Sequence, residues 1–76
     1  MPKALPSSPP NATETAVPDA KAFGAAIRDR RKALGLTQTT LAGLSGVSHK
    51  FVNEVERGKE TAEIGKVLRV ARMLGI

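Results

Sequence analysis

The chain contains no cysteine, no tryptophan and no tyrosine, and only two phenylalanines and one histidine. Without cysteine there is no disulfide framework, no thiolate metal site and no redox chemistry at sulfur. No run approaches the roughly 18–20 consecutive apolar residues that a membrane helix needs. The N-terminus has one lysine, Lys3, with no apolar segment behind it, and so does not read as a secretory signal. A cytoplasmic location is the expectation. Catalytic equipment is equally sparse. There is no glycine-rich phosphate loop, and no acid–base pair converges on a recognisable nucleophile. Glu54, Glu56, Glu60 and Glu63 cluster in sequence, but calcium loops place acids around a glycine bend. Here the acids are interleaved with Arg57 and Lys59, which reads as helix ends and a solvated loop. The expectation is therefore a protein without enzymatic activity, metal or cofactor.

What is present is a small basic chain. Its 76 residues suffice for one domain with a marginal core. A formal net charge of +5 favours a polyanionic partner, although it also suits a ribosomal, membrane-surface or merely soluble basic protein. The charge is unevenly placed. The first twenty residues carry Lys3 against Glu14 and Asp19, a net −1, and the remaining 56 carry +6. All five prolines fall within the first eighteen residues, among Ser, Thr, Asn and Ala. Proline fixes φ and lacks an N–H, so residues 1–18 are expected to form a disordered or extended arm. Its single basic side chain argues against insertion into a DNA groove and for a flexible terminus with no specific role.

From Asp19 the apolar pattern becomes helical. Phe23, Ile27 and Leu34 lie on one stripe of a 3.6-residue period, with Asp19 as N-cap and Arg28, Arg30, Arg31 and Lys32 toward the C-terminal end. Gly35 stops this helix. A short second helix is expected from Gln38 to about Leu44 with Thr37 as N-cap, and a third over Ser48 to Arg57 burying Phe51, Val52 and Val55. The fourth starts near Thr61 and presents Ile64, Val67, Leu68, Ala71 and Leu74. Gly75 and Ile76 follow as a Schellman-type ending. Nothing alternates with period two for long enough to make a strand.

Gln38–Arg57 is the informative segment. Two short helices separated by three or four residues follow the helix-turn-helix plan. Ala42 is small where the helices must approach, Gly46 sits in the turn where a positive φ costs glycine nothing, and Leu41, Val47, Val52 and Val55 are apolar where a shared core needs them. Ser45 occupies a position that is usually apolar and brings a hydroxyl that must be satisfied.

Arg28-Asp-Arg-Arg-Lys-Ala-Leu-Gly-Leu-Thr-Gln, Leu41-Ala42, Gly46-Val-Ser48 and Glu54-Val-Glu-Arg-Gly58, at these separations, resemble the DNA-binding domain of Cro/C1-type (XRE) repressors. The resemblance spans about residues 21–76. It implies an all-α, four-to-five-helix, lambda-repressor-like domain over residues 19–76. Phe51 after Ser48-His-Lys, Arg57-Gly-Lys-Glu-Thr and Gly65-Lys-Val-Leu-Arg-Val look most like HipB-type antitoxins. Those are autorepressors encoded beside a HipA-like serine/threonine kinase toxin.

In this motif the third helix enters the major groove of double-stranded DNA and its first residues meet base edges. The resemblance thereby assigns base contacts to His49, Lys50 and Asn53. Asn53 suits adenine and Lys50 suits guanine, each such pair discriminating by about 1–3 kcal/mol; the base that His49 prefers is open. The alternative for Lys50 and Asn53 is a solvated helix face, and for His49 a phosphate neighbour. Phosphate contacts are implied for Thr37, Gln38, Ser48 and Lys59, the first three at helix N-termini where free N–H groups attract anions. Thr37 and Ser48 have simple capping as the plainer account, and Gln38 also braces the third helix. Lys66 is a weaker phosphate candidate than a solvated charge.

The family pattern further implies a structural salt bridge between Arg31 and Glu56. Val70, Met73 and Ile76 form a second stripe on the fourth helix, read either as a wide core face or as a homodimer contact for a palindromic operator. Leu44 is a further partner-facing candidate. The sequence reading is a sequence-specific transcriptional repressor, found with the nucleoid when bound to DNA, of the antitoxin kind. A stand-alone or phage-type repressor, or a protein-binding adaptor that has lost DNA, are the alternatives.

Overall fold

The computed structural model describes residues 19–76; the first eighteen residues, and with them the expected arm, lie outside the described part. Four helices follow in order, α1 (Ala20–Ala33), α2 (Gln38–Ser45), α3 (His49–Glu56) and α4 (Ile64–Met73). No strand occurs among the described residues, so the architecture is all-α.

Side-chain chemistry explains where the two short helices begin. Thr37 Oγ1 accepts the Thr40 backbone N–H at 3.0 Å, and Ser48 Oγ accepts that of Phe51 at 3.0 Å. Each satisfies a donor that the first helical turn would otherwise leave unpaired, which is typically worth about 1 kcal/mol. Asp19 stands at the N-cap position of α1, but its side chain makes no capping bond. Between α2 and α3 the chain turns at Gly46, whose φ of 71° lies in the left-handed region. The Val47 N–H then closes back onto the Ala42 carbonyl at 3.0 Å. The same ending recurs after α4, where the Ile76 N–H reaches the Ala71 carbonyl at 3.0 Å. Ile76 itself stays exposed, so the apolar half of that ending is missing.

The core joins all four helices through Ile27, Leu41, Val52, Val55, Val70 and Leu74, with Ala42 and Ala71 filling the narrow gaps. Phe23, Leu36, Val47, Phe51, Ala62 and Val67 pack around it. α1 approaches the end of α3 at Gly24, where an added Cβ would fall on the Val55 carbonyl oxygen and 2.8 Å from that of Glu56. Only glycine lets the two backbones meet there.

Three further expectations are corrected. Leu34 is exposed because α1 ends at Ala33, and Leu36 takes the place against the core instead. α4 begins at Ile64 rather than near Thr61, since Ala62 is drawn onto the core before the helix starts. The third concerns which side of α4 is buried. Ile64 and Leu68 are 51% and 53% exposed, whereas Val70 is completely buried. The core stripe is therefore Val67, Val70, Ala71 and Leu74, because α4 turns that side toward α2. Val70 is thereby removed from any intermolecular contact in this fold.

Candidate nucleic-acid interface

The two helices of the motif are held by a buried polar network. Arg31, near the end of α1, donates from Nε to Glu56 Oε2 at 2.7 Å and from Nη2 to Oε1 at 3.0 Å, a bidentate pair. Its Nη1 also donates to the Leu36 carbonyl at 2.9 Å, closing the α1–α2 loop. Gln38 completes the arrangement, with Nε2 donating to Glu56 Oε1 at 2.9 Å and to Asn53 Oδ1 at 3.4 Å. Every charge in the network has a partner of opposite sign, which is the condition under which such groups can be buried. Burial alone would push the Glu56 carboxyl up. Hydrogen bonds from Arg31 and Gln38, with the charges of Arg31 and Arg28, outweigh it and hold the pKa below the ordinary carboxylate value. The Arg31 guanidinium is raised by its hydrogen bond to Glu56, against the opposing effect of burial.

On the other side of α3 lies an exposed polar face. His49 and Lys50 in its first turn are open to solvent, and Asn53 is half-buried beside Gln38. Lys50, Asn53 and Lys59 come together around an open concavity of about 370 Å³, which Glu54, Arg57 and Gly58 also line. Lys59 Nζ is paired with Glu54 Oε1 at 3.3 Å. Thr37 and Ser48 stand at the exposed starts of α2 and α3, each with its hydroxyl oxygen engaged in the cap. The Gln38 amide nitrogen is turned inward, toward Glu56 and Asn53. Lys66 is drawn aside, 3.4 Å from Glu63 and with its ammonium 5.8 Å from the centre of the Phe51 ring.

Two residues of this face escaped the sequence reading. Glu54 follows Lys50, and Arg57 follows Asn53, by four positions, the spacing of side-by-side residues on a helix. That spacing is visible in the sequence, but acids interleaved with bases fit a helix end equally well there.

Away from this face, Met73 and Ile76 are exposed, together with Leu44, Ile64 and Leu68. No helix among the described residues is long and apolar enough to cross a membrane, and no three His, Asp or Glu side chains among them gather as metal ligands would.

Residues 22–76 match the family described as "Helix-turn-helix domain". The chain belongs to the helix-turn-helix family. It is a DNA-binding transcriptional regulator of the XRE type, and its relatives agree with that placement. The regulator is 50% identical over 53 residues to an uncharacterized HTH-type transcriptional regulator, y4mF, of Sinorhizobium fredii, covering 70% of each chain. Among solved structures it is similar to the restriction-modification controller protein C.AhdI from Aeromonas hydrophila, with a TM-score of 0.70 and 40% identity, over 79% of this chain and 91% of that one. The clp gene regulator ClgR from Corynebacterium glutamicum gives a TM-score of 0.68 and 33% identity, over 79% and 77% of the two chains.

Proposed function

We propose that the protein is a repressor that occupies its operator as a two-fold dimer, with α3 in the major groove. The observation that carries this reading is the anchoring of α3 by Arg31, Glu56 and Gln38 on one side while His49, Lys50 and Asn53 stand free or half-free on the other. A reading helix must present its side chains at fixed positions, and a rigid network behind it supplies that. In this reading His49, Lys50 and Asn53 meet base edges. The Gln38 hydrogen bond fixes the Asn53 amide with one lone pair of Oδ1 still available, so the amide can accept from adenine N6 and donate to N7. Phosphates are held by the Ser48 hydroxyl, the first-turn N–H groups behind Thr37 and Gln38, and Lys59.

Dimerisation would place two α3 helices about one turn of DNA apart. The exposed Met73 and Ile76, joined by Ile64 and Leu68, are the apolar groups available to such a contact. Gel shift on the gene's own promoter tests the whole reading: a complex that weakens steeply with salt is expected, and no shift even at low salt would sink it.

A narrower role, as antitoxin to a HipA-like serine/threonine kinase, is favoured by the run around Phe51, Arg57–Thr61 and Gly65–Val70. Co-purification with a kinase encoded beside the gene is the outcome expected. Operator binding with no such neighbour would leave a stand-alone repressor.

A further inference from the structure

The reading face contains one group that ought not to be there. Glu54 lies on it four residues after Lys50, within the concavity shared with Asn53, Arg57 and Lys59. A carboxylate facing a polyanion is repelled by every phosphate it approaches and offers only acceptors. Its side chain is 31% exposed, so bound DNA would strip it of its remaining water. Its one ionic partner among the described residues is Lys59, at 3.3 Å. Left in that pair, Lys59 has its charge cancelled and contributes little to holding phosphate.

We propose that Glu54 is a specificity-determining residue that accepts a hydrogen bond from a cytosine N4 amino group and, in doing so, releases Lys59 to the phosphate backbone. The inference rests on the operator-binding reading above. Among the base edges of the major groove only cytosine N4 and adenine N6 donate; guanine N7 and O6, adenine N7 and thymine O4 are acceptors. Adenine sets its N7 acceptor beside its donor, so a carboxylate reaching N6 meets a lone pair as well. Cytosine sets a C–H there and is the better match. On any other base the carboxylate is dry and unpaired, or it keeps Lys59 and denies the phosphate its cation. Either way non-cognate DNA is disfavoured by a repulsive element as well as by missing contacts, a general route to specificity. The Lys59 ammonium, half-exposed on a flexible stem just past Gly58, needs only side-chain rotation to change partner.

The test uses the full chain and its Glu54→Ala and Glu54→Gln variants, each checked for an unchanged melting temperature. Binding selection from random duplexes is followed by salt titration on the selected operator and on non-specific DNA. In Glu54→Ala a cytosine preference at one position of each half-site is expected to disappear, with discrimination there falling about tenfold, and in Glu54→Gln, whose amide both accepts and donates, the preference there should shift toward adenine. On non-specific DNA the slope of log affinity against log salt should steepen by about 0.9 when Lys59 is freed, while the operator slope stays as in the wild type. Variants that select the wild-type consensus unaltered, or that leave the non-specific slope unchanged, would overturn the role of Glu54 alone. A wild-type chain that enriches no sequence would overturn operator binding itself, and the role of Glu54 with it.

Discussion

The side-chain amide nitrogen of Gln38 donates both to Glu56, inside the fold at 2.9 Å, and to Asn53, on the reading face at 3.4 Å. One group thus joins the salt bridge that locks α1 to α3 with a side chain proposed to meet a base. In the proposed operator-bound form stability and recognition are coupled through it, and the consequences can be measured separately.

Glu56→Ala leaves the Arg31 guanidinium buried without its carboxylate and Gln38 without the nearer of its two acceptors. Breaking a buried pair from one side costs about 3–5 kcal/mol. In a domain this small, each 1 kcal/mol lowers the melting temperature by roughly 4–8 °C. Thermal denaturation followed by circular dichroism should therefore show a large drop; a melting point within a degree of wild type would count against the pair.

Acid should act on the same bond. The Glu56 pKa is depressed on folding, so the carboxylate's contribution is complete above the ordinary carboxylate value of about 4.3 and is lost as pH falls through the lower, folded value. Arg31, raised on folding, keeps its charge throughout this range. Melting temperature plotted against pH should fall steeply below about pH 4.3 in the wild type. Glu56→Gln should start lower and show a shallower acid limb. Parallel curves would mean that Glu56 does not carry the acid sensitivity.

Ser45 presents the opposite case. It is buried at the end of α2, and its hydroxyl has no hydrogen-bond partner among the described residues. A buried hydroxyl without a partner costs about 1–3 kcal/mol. Ser45→Ala removes it while leaving a small side chain, so urea denaturation should give a midpoint equal to or above that of the wild type. A clear loss of stability would show that the hydroxyl is satisfied after all.

A His49→Ala/Asn53→Ala double variant addresses the reading face. Neither residue belongs to the hydrophobic core, so the fold should survive. Affinity for the operator should fall by about 2–6 kcal/mol if each makes a base contact, while salt-dependent binding to unrelated DNA persists. Operator selectivity that survives intact would displace the reading face from these residues.

Helix starts and turns were legible because they are decided within a few residues. Thr37 and Ser48 cap the helices they precede, and Gly46 turns where a positive φ is needed. The boundary that failed, the start of α4, is the one where a non-local force intervened, with Ala62 packed on the core instead of entering a helix. At the interface, Lys50 and Asn53 could be placed on one face from spacing alone. The Gln38–Asn53 contact spans 15 positions and the Arg31–Glu56 pair 25. No local rule brings such residues together; for the salt bridge only the family resemblance suggested it.

By itself the sequence determined that four helical segments exist, where three of them begin, and that the middle pair carries a helix-turn-helix spacing. Those features follow from caps, glycines and apolar period. Only the tertiary structure decided which side of α4 is buried, because Ile64–Leu68 and Val67–Val70–Ala71–Leu74 satisfy the same 3.6-residue period and packing against α2 breaks the tie. It also decided that Glu54 holds Lys59 and that Gln38 turns inward. A hydrogen bond depends on where helices lie in space, and periodicity along the chain carries no record of that.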